Sequence, residues 1–383
     1  MTHFSWLDGS IVGLYLLATM IAGVMVRKYV ARVEHFLVAG REMNVYLGIA
    51  SLAATEFGIV TCMYTAQNGY EKGFAGAIPG ICQAIAMGFI GLTGFCIKPL
   101  RDSGAMTIPE MFEKRFGPRI RWAAGVVIVL GGLLNTAATL TWQATIARVL
   151  AAKDSATGRK IYTRTAFFFV CRFLIPGIWG IAALAALGPA MPGDNTLHAM
   201  PRFLSTFVPV GVMGVLVAAM LAADMSTDSS YMLTWGSVMY NDVLAPFRKS
   251  AWSERQGLLV NRAIIALIGV FLLFYGLWYP LKGDLWTYLG VTGTIYLSSM
   301  TVLLIACCYW RRANNWGAAA AIVCGAVVPI CYLIIEQVPK TKPVAAKIGP
   351  YYSGIATYLL VGAAMVVGSL LKPRDEQRAQ PGV

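Results

Sequence analysis

Long apolar segments alternate with short charged loops along most of the 383 residues. Each segment has about the twenty residues that a membrane-spanning helix needs. Their unbroken hydrophobicity differs from the alternating segments of about ten residues in a transmembrane barrel. The segments lie at about residues 7–26, 45–70, 77–97, 122–150, 165–187, 216–242, 259–280, 285–310, 316–335 and 351–371. The pattern predicts an all-α polytopic membrane protein with about ten transmembrane helices.

The segment Leu216–Asp242 interrupts its apolar run with a dense polar cluster. The cluster consists of Asp224, Ser226, Thr227, Asp228, Ser229 and Ser230. A carboxylate at the centre of a membrane helix costs about 2.5–3.5 kcal/mol on insertion scales, so these groups must face protein, water or an ion. Helical spacing places Ser226 and Thr227 on one side and the two aspartates on another. Clustered oxygen ligands suit a hard cation, whereas a polar packing seam between helices is the alternative. The segment alone leaves both open.

The second segment, Val45–Tyr70, is also polar for a membrane helix. It contains Thr55, Glu56, Thr61, Thr65, Gln67 and Asn68. Gly58 in its middle favours a break, and a broken helix frees backbone carbonyl groups that can bind ions. An intramembrane charge such as Glu56 is by default a candidate for a functional site. The alternative is a buried glutamate with a structural partner.

Composition and charge support the membrane assignment. Hydrophobic residues make up 57% and charged residues 13% of the chain, with a mean hydropathy of +0.64. A soluble domain has about 25% charged residues. The net charge of +13 resides in short loops, where basic residues indicate orientation, so nucleic acid is not an expected partner. Basic residues after the first and last segments predict an N-terminus outside and a C-terminus in the cytoplasm. We also expect a plasma-membrane location.

Several smaller features carry their own predictions. The stretch Thr107–Gly117 predicts a short cytoplasmic amphipathic helix, with Phe112 and Phe116 at the membrane surface. Arg172 lies inside an apolar segment and is expected to snorkel or to pair with an acid, for which Asp228 is one candidate. The eight cysteines lie in apolar segments without a CxxC pair, which indicates packing residues.

One segment, Trp122–Leu150, contradicts the pattern of orientation. Arg119 and Arg121 precede it and Arg148 and Lys153 follow, so both flanks are basic. The positive-inside rule would place both of its ends in the cytoplasm, which a single span does not allow. Termini on opposite sides of the membrane also need an odd number of spans, whereas the pattern predicts ten. The misfit therefore localises to this segment.

Four motifs, in this order, resemble the sodium:solute symporter family. They are F-L-V-A-G-R at Phe36–Arg41, T-I-P-E-M-F-E-K-R-F-G at Thr107–Gly117, T-W-Q-A-T-I-A-R-V-L-A-A-K-D at Thr141–Asp154 and A-A-D-M-S-T-D-S-S at Ala222–Ser230. Each motif alone is weak, whereas the ordered set is specific. The resemblance covers about Leu7 to Leu371. It implies an inverted-repeat, leucine-transporter-like fold with a broken first core helix and a binding site near the membrane midplane.

The resemblance also implies a sodium site. Carried over residue by residue, its ligands are the backbone carbonyls of Ala54, Phe57 and Ala223 and the hydroxyls of Ser226 and Thr227. Further candidates for ion, proton or solute contacts are Glu56, Asp224, Asp228, Thr61, Thr65 and Gln67. Sodium is the implied coupling ion, without a further cofactor or catalytic residue, and the implied partners are a small-molecule solute and the bilayer.

The chain departs from the family in length. The family has about thirteen spans, so two helices are expected to be missing between the third and sixth core helices, which leaves the first repeat incomplete. The expected join lies near Gly132–Ala138. The alternative is a natural ten-helix variant whose central segment is re-entrant, with Asn135, Thr136, Thr139 and Thr141 giving its turn polar character. Residues 1–371 are expected to form one transporter domain and residues 372–383 a short cytoplasmic tail.

These features support two functions and argue against a third. The first is a sodium-coupled symporter of a small organic solute that the sequence does not identify. The second is a non-transporting or inactive truncated member of the family that acts as a membrane sensor or partner-binding protein. A membrane enzyme is excluded because His3, His35 and His198 are scattered and the sequence has no HExxH, GxSxG or Walker motif.

Overall fold

The computed structural model describes residues 4–26, 33–134, 141–189, 195–247, 252–278 and 285–372; side chains at 129–134, 141–145 and 285–289 are not described. The α-helices are α1 (Trp6–Val26), α2 (Val33–Val38), α3 (Val45–Glu56), α4 (Ile59–Lys72), α5 (Ile78–Thr93), α6 (Ile97–Asp102), α7 (Ile108–Phe116), α8 (Pro118–Leu134), α9 (Thr141–Ala151), α10 (Ser155–Leu187), α11 (Ala199–Phe207), α12 (Val212–Val238), α13 (Glu254–Trp278), α14 (Leu285–Tyr309), α15 (Asn315–Gln337) and α16 (Lys342–Leu371). Short 3-10 segments lie at Ala39–Arg41, Gly73–Ala77, Thr196–His198 and Ala245–Phe247, and a π segment at Met239–Leu244. A parallel bridge joins Met43 and Ala152.

The helices confirm a polytopic membrane protein. Among the described residues, 8 helical stretches are long and apolar enough to cross a membrane. The predicted break in the second segment is confirmed, since α3 ends at Glu56 and α4 begins at Ile59. Because of that break, α3 is too short to count alone, and α4 and α5 form one continuous stretch, Ile59–Thr93. The predicted segment 122–150 is divided between α8 and α9, and the expected join falls largely on residues 135–140, outside the described residues.

The described contacts separate the chain into two compact units. The first comprises Met1–Ile97 and Ala151–Tyr231, and the second comprises Lys98–Leu150 and Met232–Val383. In the first unit, α10 packs along α3, α4 and α5. In the second, α14, α15 and α16 pack together and α7 contacts α8. Every sequence-predicted site residue belongs to the first unit.

Side-chain caps explain where several helices of the first unit begin. The Asn44 side chain accepts a hydrogen bond from the Leu47 amide, which fixes the start of α3. Asp154 accepts one from the Thr157 amide at 2.6 Å and starts α10. Such caps satisfy amides that have no partner within the helix. The helix that carries Arg172 therefore begins before the predicted residue 165, at Ser155.

In the second unit, α7 confirms the predicted amphipathic helix. Thr107 caps its first turn by accepting a hydrogen bond from the Glu110 amide, and Gly117 ends it with a φ of +88°. The predicted surface location of Phe112 and Phe116 is wrong, because these side chains are only 0% and 5% exposed. Their spacing of four residues places them on one face of the helix, and that face packs into protein.

Arg121 connects α8 to the π segment within the second unit. Its Nε donates to Asp242 Oδ1 at 2.7 Å, and its Nη2 donates to the Asn241 carbonyl at 2.6 Å. Its Nη1 also pairs with Glu113 at 2.5 Å. The Asp242 side chain is completely buried. One arginine thus compensates a buried carboxylate and ties three elements together.

Asp8, in the first turn of α1, fixes the start of α12 in the first unit. Its Oδ1 accepts hydrogen bonds from the amides of Gly211 at 2.7 Å and Gly214 at 2.6 Å. Its Oδ2 accepts from the amide and hydroxyl of Ser5. The residue is completely buried. A carboxylate at a helix N-terminus satisfies free amides and interacts favourably with the helix dipole.

We expect Asp8→Ala to lower the free energy of unfolding by about 2 kcal/mol, because it leaves buried amides at the start of α12 without an acceptor. The measurement is a denaturation curve of the purified protein in detergent. Thr19→Ala is the matched control, since the described hydrogen bond of the Thr19 hydroxyl lies within α1, to the Leu16 carbonyl. Equal stability of the Asp8→Ala variant and wild type would show that the contact contributes nothing.

Candidate functional site

The site is built around the break between α3 and α4. Phe57 (φ −114°, ψ 73°) and Gly58 (φ −91°, ψ 171°) leave the helical conformation, and the chain then resumes as α4. The last carbonyls of α3 therefore lose the amide partners that a continuous helix would supply. Carbonyl groups at such breaks line ion sites in membrane carriers with discontinuous helices.

Thr227 on α12 reaches these carbonyls. Its hydroxyl lies 3.0 Å from the Thr55 carbonyl oxygen, 3.5 Å from that of Ala54 and 3.0 Å from that of Ala223. The residue is 4% exposed. A hydroxyl has one proton to donate, so three carbonyl oxygens crowd around one donor. The fold thus brings Ala54, Ala223 and Thr227 together, and their oxygens suit a hard cation.

The described contacts of two other predicted sodium ligands, Phe57 and Ser226, do not involve the Thr227 hydroxyl. Phe57 lies within the break, and its partly buried side chain packs against a cluster that contains Cys62 and Ala66. Ser226 is partly buried, and its carbonyl oxygen accepts hydrogen bonds from the hydroxyls of Ser229 and Ser230 on its own helix. Both residues flank the three-carbonyl cluster along the chain.

Asp224 brings a carboxylate to the same place. Its Oδ1 accepts a hydrogen bond of 3.1 Å from the Ile59 amide and so caps α4, a role that Gly58 has no side chain to perform. A Cβ atom at Gly58 would lie 3.0 Å from the Thr227 hydroxyl and 3.3 Å from Asp224 Oδ1. The glycine therefore permits α12 to approach the break closely. Asp228, one turn further, is exposed within the described structure.

Glu56 and Arg172 form a buried ion pair beside the break. Arg172 Nη1 donates to Glu56 Oε2 at 2.7 Å, and the two side chains are 7% and 2% exposed. Arg172 Nη2 also donates to the Thr61 hydroxyl at 3.3 Å. The expectation that Asp228 pairs with Arg172 is wrong. Glu56, the last residue of α3, faces α10 at the height of the arginine and takes this role.

Thr65 and Gln67 differ in their surroundings. The Thr65 hydroxyl is buried and has no hydrogen-bond partner in the described part of the chain. Gln67 Nε2 donates to the Thr196 hydroxyl at 2.9 Å and to Glu71 at 3.2 Å. Thr65 lies one helical turn beyond Thr61, on the same face of α4. The described bonds of Gln67 tie α4 to the loop before α11 rather than to the break.

Some residues of the site escaped sequence reasoning. The Thr55 hydroxyl lies 3.1 Å from that of Ser230, and this contact adds a second link between α3 and α12. Asp8 anchors the start of the helix that carries Thr227, yet it reads in the sequence as an ordinary first-turn acid. Its single signal was a carboxylate at the edge of an apolar segment.

Comparisons with known proteins add a family and a fold. The model of the sodium:solute symporter family matches residues 36–141 and 118–325. The sodium/mannose cotransporter of Bos taurus is 30% identical over 208 residues, which cover 50% of this chain and 34% of that protein. The sodium/myo-inositol cotransporter of Mus musculus is 26% identical over 259 residues, which cover 60% of this chain and 36% of that protein. The chain thus spans about a third of the length of these curated relatives.

A solved structure resembles nearly the whole chain. It is the substrate-bound outward-open state of a Na⁺-coupled sialic acid symporter, with a TM-score of 0.76 and 17% identity. The match covers 97% of this chain and 99% of that chain. At this identity the likeness establishes the fold alone. It confirms the predicted all-α, leucine-transporter-like architecture.

Proposed function

Because the chain belongs to the sodium:solute symporter family, we propose that it carries a small organic solute across the membrane together with sodium. The mannose and myo-inositol relatives are both named as sodium cotransporters, and the structural neighbour as Na⁺-coupled. These transporters also support the interpretation that the chain is not an enzyme.

The observation that carries the proposal is the oxygen cluster at the break. We assign the sodium ligands to the carbonyls of Ala54, Phe57 and Ala223 and the hydroxyls of Ser226 and Thr227. Support comes from the Ala54 and Ala223 carbonyl oxygens, which lie 3.5 Å and 3.0 Å from the Thr227 hydroxyl, and the Thr55 carbonyl oxygen joins the same cluster at 3.0 Å. Asp224, at the adjacent amide of Ile59, adds a negative charge that favours a cation.

Sodium at this cluster would link α3 to α12. All of α3 and the part of α12 up to Tyr231 belong to the first unit. The ion shifts the protein toward the state that holds the two helices together, by its higher affinity for that state. The solute then binds beside the break, next to Glu56 at the end of α3 and to Thr61 and Thr65 in α4. Release of both follows when the helices separate toward the cytoplasm.

Uptake into liposomes tests this function. The full chain is reconstituted, and uptake of a panel of radiolabelled sugars, polyols, amino acids and carboxylates is compared with inward sodium and inward potassium gradients. We expect one solute to accumulate only with the sodium gradient. If a solute were taken up equally with the sodium gradient and with the potassium gradient, that result would refute sodium coupling.

The first repeat is proposed to lack two helices near residues 132–138. The basic residues at both flanks of the segment 122–150 support this proposal, because a single span cannot have both of its ends in the cytoplasm. The shortened repeat raises the alternative of a non-transporting member, but the relatives are named as transporters and do not favour it. Insertion of two homologous helices after Asn135 separates the cases. Uptake by the native chain supports transport, and uptake only after the insertion supports an inactive deletion form.

We also propose that residues 1–371 act as one transporter domain in the plasma membrane, with the N-terminus outside and residues 372–383 in the cytoplasm. The basic residues that flank the first and last segments support this orientation. A green fluorescent protein fused to the C-terminus folds only in the cytoplasm. Its fluorescence in a bacterial host supports the orientation, and a dark, full-length fusion refutes it.

A further inference from the structure

The Glu56–Arg172 pair places two opposite charges in the protein interior beside the break. Both side chains are more than nine-tenths buried. The rings of Phe169 and Phe173 pack on the guanidinium, with centroids at 5.1 Å and 5.5 Å from its central carbon. If either charge loses its partner inside the protein, the loss is severe unless another charge replaces that partner. A solute that enters between the two must therefore supply both replacements.

Hydrogen-bonding groups at the pair remain unused. Among the residues that the structure describes, neither Arg172 Nε nor the Thr65 hydroxyl has a hydrogen-bond partner, and both are buried. The remaining edge of the guanidinium consists of Nε and Nη2, and Nη2 donates to the neutral Thr61 hydroxyl at 3.3 Å. The Tyr64 side chain is also hydrogen-bonded to the guanidinium. Buried polar atoms without partners are rare in proteins, and this edge of an arginine matches the two oxygens of a carboxylate. The unused atoms indicate where an anionic group of a ligand would bind.

The dipoles of α3 and α4 at the break favour the same placement of a ligand's charges. Glu56 lies at the C-terminal end of α3, which carries partial negative charge, and α4 begins at Ile59 with partial positive charge. A cationic group is therefore favoured at Glu56. The same break favours an anionic group on the side of Thr61 and Arg172.

We propose that the solute is a small zwitterion of the α-amino-acid type, with its ammonium group on Glu56 and its carboxylate on Arg172, Thr61 and Thr65. The inference rests on the proposed transport function. A zwitterion replaces both partners of the ion pair without adding net charge. A carboxylic acid without an amine would leave Glu56 without a cation, and an amine alone would leave Arg172 without an anion. A neutral polyol, such as the solute named for the myo-inositol relative, compensates neither charge.

The test is a binding assay on the purified full chain in sodium, with matched solutes. Glycine, L-alanine, L-serine, L-proline and L-leucine are each compared with the analogue that lacks the amino group and the analogue that lacks the carboxylate. Mannose and myo-inositol complete the panel. We expect at least one amino acid to bind about 100-fold more tightly than both of its analogues, because a site built for a polar group strongly rejects a ligand without it. Binding of a sugar or polyol, equal binding of an analogue, or binding of no amino acid overturns the proposal.

Arg172→Lys adds a test on the protein side. Lysine keeps the charge opposite Glu56 but lacks the two-donor edge. We expect amino acid binding to weaken at least about 10-fold while sodium binding is retained. Arg164→Lys, at an exposed position of the same helix, is the matched control and should change neither. Unchanged amino acid affinity in Arg172→Lys contradicts the proposed carboxylate contact. If the wild type bound no sodium, that result would instead refute the sodium-coupled transport function itself.

Discussion

Arg172→Met is expected to lower the free energy of unfolding by about 3–5 kcal/mol, the largest loss among the substitutions considered. The change leaves the Glu56 carboxylate, 2% exposed, without its cation 2.7 Å away. The variant Glu56→Leu should lose a similar amount, since it leaves the guanidinium alone. The measurement is unfolding of the purified protein in mixed micelles as the fraction of denaturing detergent rises.

The double variant Glu56→Leu/Arg172→Met gives the sharper result. With both charges gone, no uncompensated charge remains, and replacement of a buried pair by apolar residues is often neutral or stabilising. We expect it to recover most of the stability that each single variant loses. Arg164→Met, on the exposed side of α10, controls for the removal of a charge. If the double variant were as unstable as the sum of the single variants, the pair would not be the source of the loss.

Gly180→Ala is expected to have the second-largest effect, a loss of about 3 kcal/mol. A Cβ atom at this position would lie 1.9 Å from the Ala66 carbonyl oxygen and 2.8 Å from the Tyr70 amide nitrogen. Both atoms belong to the backbone of α4, so no side-chain rotation relieves the overlap. Small residues allow membrane helices to approach this closely. The substitution must therefore separate α10 from α4, and the yield of monodisperse protein and its melting temperature should both fall.

Gly177→Ala is the matched control for this crossing. It lies one turn earlier on α10, and an added Cβ atom there would meet no described atom within 4 Å. We expect its stability to remain within about 0.5 kcal/mol of wild type. If the two alanine variants melted at the same temperature, the close approach at Gly180 would not limit packing.

Much of the fold could be predicted from hydrophobic patterning and turn chemistry. The apolar run from residue 7 to 26 gave the described extent of α1 almost to the residue, because about twenty apolar residues suffice for a helix that spans the membrane. Gly58 predicted the break, and Pro109 with Gly117 predicted the limits of α7. These signals are local, so one sequence is enough to interpret them.

Contacts between distant residues were harder to predict. Glu56 and Arg172 are 116 residues apart in sequence, and helical periodicity does not indicate which buried acid faces a buried base. The sequence therefore offered Asp228 as a partner, although α10 packs against α3 at the level of Glu56. Phe112 and Phe116 show the same limit. Their common face was predictable, whereas its burial in protein rather than at the membrane surface depends on tertiary packing.

The candidate sodium site was predictable only in part. The resemblance to a family supplied Ala54, Ala223 and Thr227, and the structure brings their oxygens together. The cap that Asp224 provides to Ile59 could not be inferred, because it needs the exact approach of α12 to the break. The anchoring of α12 by Asp8 escaped for the same reason, because the aspartate and Gly211 are 203 positions apart in sequence.

Sodium binding to the purified full chain tests the central claim most directly. Equilibrium binding of radioactive sodium is measured for wild type, Thr227→Ser and Thr227→Val. Serine keeps the hydroxyl, whereas valine has nearly the same shape without it. The account predicts saturable binding by wild type and Thr227→Ser, and binding weakened at least about 10-fold in Thr227→Val, which is about 1.4 kcal/mol. Wild-type affinity in Thr227→Val, or no saturable binding by the wild type, would contradict a sodium site at the break.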